Sequence, residues 1–177
     1  IRRPLGSFRR FGRYPPSTPG TRTSSRSNGL QLMGVVLDTN VVSELMRGRD
    51  ADINVRKWVT GVHQSQRITT AITVAEILHG IERLPPGHRR EKLAETASVI
   101  FSEFSETVAP FDLVAAQAYA AVVDSRARAG SPISGFDAQI AAICLTGNHT
   151  LATRNTKDFD ALGIDLVNPW LSEASTN

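Results

Sequence analysis

The chain has 177 residues, of which 41% are hydrophobic and 21% charged, a composition typical of a water-soluble globular protein with one domain of ordinary size. Its longest apolar run, residues 113–123, is much shorter than the roughly 20 residues that cross a bilayer, so no membrane-spanning segment is expected. The single cysteine, Cys144, excludes an intramolecular disulfide and a cysteine-based zinc site, and it favours a cytoplasmic location.

The net charge of +3 arises from residues 1–32, which carry seven arginines and no Asp or Glu. Without them, 13 basic residues face 17 acidic ones, and the net charge becomes −4. This segment is rich in Pro, Gly, Ser and Thr and has no apolar periodicity, so we predict that it is disordered. Its composition also resembles a transit peptide or a nucleic-acid-binding arm. Because Met33 directly precedes the first predicted strand, we interpret residues 1–32 as an extension that need not be native, residues 33–170 as the functional domain and residues 171–177 as a short tail.

From Met33 onward, short β-like runs alternate with longer segments of helical period. The predicted strands are Val35–Leu37, Ile68–Ile72, Thr107–Ala109, Thr150–Thr153 and Ile164–Val167. The predicted helices are Asn40–Arg47, Ile53–Val62, Val74–Leu84, His88–Phe104, Leu113–Ala129 and Phe136–Thr146. Helical segments between successive strands imply crossovers and parallel pairing. The predicted fold is therefore a three-layer α/β/α domain with a central parallel sheet of four to five strands.

Four acidic residues follow predicted strands at corresponding places. Asp38 comes directly after the first strand, and Glu76 lies one turn into the helix after the second. Asp137 lies at the start of a late helix, and Asp158 lies a few residues beyond a strand end. Ligands of open parallel sheets bind where the carboxyl ends of the strands meet, so we expect these four side chains at one edge.

Each of these acids also has a purely structural interpretation. The segment TVAE, which ends at Glu76, matches a helix-capping box, and SGFD, which ends at Asp137, resembles one. Asp38 is placed to cap the helix that follows it, and Asp158 taken alone reads as a solvated loop residue. The occurrence of all four at corresponding places favours a common site.

Carboxylates that crowd together repel one another unless a cation neutralises them. Oxygen ligands, without cysteines and without a histidine pair at ligand spacing, indicate Mg²⁺ or Mn²⁺ rather than zinc. The four scattered histidines are interpreted as surface or structural residues. Hard cations held by a few carboxylates are typical of phosphoryl chemistry.

Four stretches together resemble a known family: MGVVLDTNVVSEL, TAITVAEILHGIERLP, SPISGFDAQIAAICL and LATRNTKDFDALGIDLVNPW. In this order and spacing they are similar to a PIN-domain ribonuclease, particularly to the VapC and FitB-like toxins of bacterial toxin–antitoxin pairs. The resemblance covers the chain from Met33 to about Trp170. It implies a PIN-like fold and metal-dependent hydrolysis of RNA by an activated water, which leaves 5′-phosphate and 3′-hydroxyl ends.

The resemblance also implies roles for particular residues. Asp38, Glu76 and Asp137 become the principal acidic ligands of the metal. The fourth family position falls in TRNTKDF, where Asn155 stands at the place often held by Asp and Asp158 follows; Asp158 is favoured as ligand with Asn155 as its neighbour. Two threonines are assigned the orientation of water or phosphate: Thr39 and Thr153.

RNA that approaches an acidic site needs cations nearby. The candidate substrate-binding residues are Arg47, Arg49, Arg154 and Lys157, with ordinary solvated surface as the alternative for each. The resemblance implies a homodimer and a VapB-like antitoxin that occludes the active site. An apolar groove for the antitoxin would use residues for which core packing is the alternative: Leu45, Met46, Trp58 and Val59.

Two other classes of function fit parts of the sequence. A phosphoryl-transfer or receiver-like domain would use Asp38 as phosphate acceptor, although a haloacid-dehalogenase-like enzyme would have a second Asp where this chain has Asn40. A nonenzymatic nucleic-acid-binding module would bind through the Arg-rich segment. Loss of binding after deletion of residues 1–32 would distinguish that module from a ribonuclease.

Overall fold

The computed structural model describes residues 34–171, and the predictions for residues 1–32, for Met33 and for the tail beyond Leu171 lie outside that range. Its strands are β1 (Val35–Leu37), β2 (Arg67–Thr70), β3 (Val108–Ala109), β4 (Thr150–Ala152) and β5 (Leu166–Val167). Its α-helices are α1 (Thr39–Leu45), α2 (Ile53–Gly61), α3 (Ala71–Glu82), α4 (His88–Glu103), α5 (Leu113–Arg128), α6 (Gly135–Gly147) and α7 (Thr156–Phe159). Short 3₁₀ turns at Gly48–Asp50 and Gln64–Gln66 flank α2.

Within residues 34–171 the strands form one parallel sheet in the order β3-β2-β1-β4-β5. The first strand is central, with Val36 paired to Ile68 on one side and to Leu151 on the other. A central strand is covered on both faces, which explains why β1 is a continuous apolar run without alternation. Every strand points the same way, so the segments after β1, β2 and β4 meet at one edge.

Helices cover both faces of the sheet, because successive strand residues point to opposite sides. Leu37 and Ala152 pack with α1, α2, α3 and α4 on one face. Val36 and Leu151 pack with α5, α6 and α7 on the other. This arrangement confirms the predicted three-layer α/β/α architecture. Among residues 34–171, no helix combines the length and the apolarity needed to cross a membrane.

Several local features of the structure differ from the predictions. The second strand ends at Thr70 rather than Ile72, because the Thr70 hydroxyl accepts a hydrogen bond from the Thr73 amide at 2.9 Å and caps α3 there. Glu76 therefore lies in the second turn of α3, and the predicted capping box that ends at Glu76 is not formed. The short helix α7 was not predicted at all.

The apolar residues considered for a partner groove belong mainly to the core. Val59 is 5% exposed, and the other three are half-buried against the cluster that lies under α1 to α4. The core interpretation is therefore confirmed for Val59 and supported for Leu45, Met46 and Trp58.

Candidate active site

Asp38 is buried at the carboxyl end of the central strand, with 3% of its surface exposed. Its backbone amide still donates to the Ala152 carbonyl at 3.0 Å, so the sheet holds the residue in place. Its Oδ1 accepts from the Thr39 amide at 2.7 Å, which makes Asp38 the cap of α1. Its Oδ2 accepts from the Thr153 hydroxyl at 2.6 Å and from the Asn40 amide nitrogen. The capping role expected of Asp38 therefore coexists with a place in the site.

Burial raises the pKa of Asp38 to about 6, and hydrogen bonds from Thr153 and Thr39 offset part of that rise. The negative charges of Asp137 and Glu76 raise it further, in that order. Charges from two separate segments thus act on the buried carboxylate of Asp38. Of the other three predicted acids, Asp137 and Glu76 are near enough for their charges to act on Asp38.

Glu76 is held toward Asp38 by the residue that follows Asp38. The Thr39 hydroxyl donates to Glu76 Oε2 at 2.6 Å and lies 3.5 Å from the Thr73 hydroxyl. Thr73 is fully buried, and its hydroxyl also contacts that of Thr70 at 3.0 Å. The β1–α1 junction is therefore joined to the start of α3 by a series of hydroxyl groups.

Asp137 lies in the first turn of α6, which Ser134 caps. The Ser134 hydroxyl accepts from the Asp137 amide at 3.1 Å and donates to Asp137 Oδ2 at 2.7 Å. The capping interpretation of SGFD is confirmed, and the cap orients the carboxylate as well as the helix end. The second carboxylate oxygen, Oδ1, takes no part in this cap.

Two residues are candidates for the fourth metal ligand, Asn155 and Asp158. The Asn155 amide donates to the Thr153 hydroxyl at 3.0 Å, and that hydroxyl in turn donates to Asp38. Asp158 has an exposed side chain on α7 and is not among the charges that shift the pKa of Asp38. The backbone at Asn155 is therefore tied to the buried acid more directly than Asp158 is.

The sequence reasoning missed Asn40 as a member of the site. Its side-chain nitrogen donates to Asp38 and, at 3.1 Å, to the Thr153 hydroxyl, while its Oδ1 accepts from the Arg154 amide at 3.1 Å. Its position two residues after Asp38 was the available signal. That position does not predict the hydrogen-bond partner of Asn40, because Thr153 lies 113 residues further along the chain.

Within residues 34–171, none of the predicted substrate-binding cations forms an ion pair with a predicted metal ligand. Arg47 pairs with Glu44 at 3.2 Å, and the Arg154 guanidinium lies 5.3 Å from the centre of the Trp170 ring. Lys157 and Arg49 are exposed. A cleft of about 270 Å³ has six lining residues, none of which is a predicted metal ligand: Glu44, Arg47, Asp50, Asp52, Arg154 and Trp170.

The donor set fits a hard divalent cation. The predicted ligands offer only oxygen atoms, and within residues 34–171 no Lys, Arg or His pairs with the buried Asp38. No group of three or more Asp, Glu, His or Cys side chains in that range stands close enough to surround one ion. One or two carboxylates, completed by water and phosphate oxygens, would suffice, as is usual for Mg²⁺.

A parallel sheet with a buried carboxylate at its carboxyl edge characterises an α/β domain that is suited to divalent-cation chemistry. Among known families, the PIN domain matches residues 35–164. The Neisseria gonorrhoeae FitAcB crystal structure is 32% identical, with a TM-score of 0.72 over 78% of this chain and 99% of that chain.

Three relatives match 137 residues each, or 77% of this chain. The plasmid stability protein StbB of Pseudomonas syringae pv. tomato is 36% identical over 98% of its length. The VapC ribonuclease Y4jK of Sinorhizobium fredii is 35% identical over 97%, and the toxin FitB of Neisseria gonorrhoeae is 33% identical over 98%. The chain belongs to the PIN-domain family and, within it, to the VapC ribonucleases and FitB toxins. Ribonucleases of this family depend on divalent metal ions.

Proposed function

We propose that the chain is a metal-dependent endoribonuclease and the toxin of a toxin–antitoxin pair. The observation that carries this proposal is the buried Asp38, whose pKa is raised by burial and by the charges of Asp137 and Glu76 at the carboxyl end of the sheet. A carboxylate in such surroundings favours a cation as its partner. The same function is supported by two relatives, a VapC ribonuclease and the toxin FitB, which this chain matches over nearly their whole length.

In this proposal Asp38 is the central metal ligand, and Asp137 and Glu76 bind the cation directly or through water. A bound divalent cation supplies a Lewis acid that lowers the pKa of water and neutralises charge on the phosphate. The Thr39 hydroxyl orients Glu76 by a hydrogen bond to its carboxylate, and the Thr153 hydroxyl orients Asp38 in the same way. Because every donor is oxygen, Mg²⁺ is the preferred ion and Mn²⁺ the alternative.

The fourth ligand is proposed to come from the segment that follows β4. Asp158 supplies a full negative charge, whereas Asn155 is closer along the hydrogen-bonded path to Asp38. We propose Asp158 as the fourth ligand. Asn155 is the alternative ligand, and it would bind the cation through a neutral amide oxygen. Substitution of each residue separates these two assignments.

The proposed substrate is RNA in the cytoplasm, cut to leave 5′-phosphate and 3′-hydroxyl ends. Arg154 is the best supported phosphate contact, because its backbone amide bonds to Asn40 and thus lies beside the site. Arg47 lines the same cleft, and Lys157 is exposed on α7. Electrostatic attraction by these groups would offset repulsion between the phosphates and the acids.

The proposed partners are a second copy of this chain and a VapB-like antitoxin that covers the acidic edge. The similar FitAcB structure and the toxin FitB support a toxin–antitoxin setting. Three large apolar side chains on α5 and α6 remain exposed: Leu113, Val114 and Phe136. They provide surface for such contacts.

The direct test incubates purified protein with transfer and ribosomal RNA, in Mg²⁺, in Mn²⁺ or in excess chelator. We expect cleavage with either metal, none with chelator, and 5′-phosphate ends on the products. A variant that lacks residues 1–32 should cleave as well as the full chain. Loss of all RNA interaction in that variant would instead support an arm-driven binding module. Stable phosphate on Asp38 would support the phosphoryl-transfer alternative.

A further inference from the structure

Arg126 is a buried cation on α5. It lies in the last turn of α5, and only 9% of its surface is exposed. Arginine is rarely buried to this extent unless it is paired, because removing its charge from water is costly. Groups that accept hydrogen bonds from its guanidinium are therefore expected around it.

The partners of Arg126 are two carbonyl groups at the end of α7. Its guanidinium donates to the Asp160 carbonyl at 3.1 Å and to the Lys157 carbonyl at 3.4 Å. Within residues 34–171 no carboxylate forms an ion pair with it, and its buried Nε has no hydrogen-bond partner. Carbonyl groups at a helix end carry partial negative charge, which stabilises a cation there.

The helix that Arg126 contacts has little stability of its own. It has four residues, and its cap residue, Asn155, makes no side-chain capping bond. Helices this short do not persist in water without tertiary contacts. Phe159, which is 1% exposed, anchors α7 in the core. Arg126 binds the carbonyl groups of Lys157 and Asp160, which flank Phe159 in the sequence.

The amino-terminal end of the segment that contains α7 is hydrogen-bonded to the acidic site. The Asn155 amide donates to the Thr153 hydroxyl, which donates to Asp38. The segment that offers both Asn155 and Asp158 is thus fixed at one end by the site and at the other by Arg126. Movement at the Arg126 end would displace the fourth-position side chains.

We propose that Arg126 is a positioning residue, which holds α7 so that the fourth-position side chain stays in place relative to Asp38. The inference rests on the proposed function, because it assigns that segment to the metal site. Arg126 does not touch substrate or metal in this role. Its effect passes through the α7 backbone.

The test compares Arg126→Met and Arg126→Lys with the matched control Arg128→Met. Arg128 lies two residues further along the same helix, is exposed and pairs with Asp124. The primary readout is the Mn²⁺ dissociation constant of the folded protein without RNA, measured by electron paramagnetic resonance. We expect about a tenfold weaker Mn²⁺ affinity and a lower kcat for Arg126→Met, as for other residues that orient metal ligands. Arg126→Lys should lie in between, because lysine lacks the guanidinium fork, and Arg128→Met should match the wild type.

A double-mutant cycle separates positioning from general loss of stability. The combined Asn155→Ala, Asp158→Asn change should weaken Mn²⁺ binding in the wild type but add little in the Arg126 variants. Additive effects, or unchanged Mn²⁺ affinity in folded Arg126→Met, would overturn the proposal. If Arg126→Met does not fold, the cycle with Arg126→Lys decides by the same criterion. A wild-type protein that neither binds Mn²⁺ nor cleaves RNA would refute the proposed function itself.

Discussion

Replacement of Asp38 by Asn should change how the stability of the metal-free protein depends on pH. In the folded protein the pKa of Asp38 is raised from 3.8 to about 6, mainly by burial. The difference is roughly 2 pKa units, and at about 1.4 kcal/mol per unit it corresponds to about 3 kcal/mol. Because the folded state holds the proton more tightly than the unfolded state, this contribution is present below pH 3.8 and is lost as the pH rises through about 6.

The measurement is urea unfolding in excess chelator at several pH values, for the wild type and for Asp38→Asn. The difference between the two proteins isolates Asp38 from carboxylates that titrate in both. Most of the roughly 3 kcal/mol should disappear from the wild type, relative to the variant, between pH 4 and pH 7. Saturating Mn²⁺ should restore stability to the wild type at pH 7, because a bound cation favours the ionised carboxylate.

Asp158→Asn is the matched control, since it removes one negative charge from an exposed side chain. If the difference in the free energy of unfolding between the wild type and Asp38→Asn stays constant from pH 4 to pH 7, Asp38 does not link folding to protonation. Such a result would mean that Asp38 is not a desolvated carboxylate and that no cation is needed to offset its burial.

Three further predictions concern the metal site. Thr39→Val removes the donor to Glu76 and should weaken Mn²⁺ binding about tenfold, whereas Thr39→Ser should retain it; equal affinities would exclude this role of the hydroxyl. Of Asn155→Ala and Asp158→Asn, the variant with the larger loss of Mn²⁺ affinity, measured by calorimetry, identifies the fourth ligand; no loss in either would exclude both. The Mn²⁺ affinity of the wild type should fall about tenfold per pH unit below about pH 6, because protons compete for Asp38, and a flat titration would contradict that competition.

The central strand and its acid were predictable from sequence for a physical reason. A short apolar run among helical segments indicates a buried parallel strand, and the residue after such a strand lies at the ligand-binding edge. Asp38 is therefore placed by local sequence together with one topological rule. The placement of Asp137 followed similarly, because SGFD contains its own capping signal.

The start of α3 was harder to predict because three threonines compete to cap it. Thr69, Thr70 and Thr73 all have side chains suited to that role. Pairing of β2 with β3, in which Thr70 lies opposite Ala109, fixes where the strand ends and hence which threonine caps the helix. That information lies 39 residues away along the chain.

The helix α7 and the role of Asn40 depend on tertiary contacts. Four residues are too few for a helical period to appear, and the contacts that stabilise α7 come from α5 and the core. Asn40 acquires its function when β4 brings Thr153 and Arg154 beside it. The fourth position of the site thus depends on packing that no local pattern specifies.

We expect Asp38, with Asp137 and Glu76 as its acidic neighbours, to hold the divalent cation on which RNA cleavage depends. The most direct measurement is the metal-dependent rate of RNA cleavage by the wild type and by Asp38→Asn, both purified free of contaminating nuclease and shown to be folded. We expect cleavage by the wild type and a loss of about a hundredfold or more in the variant. Equal rates in the two proteins, or wild-type cleavage that persists in chelator, would contradict this expectation.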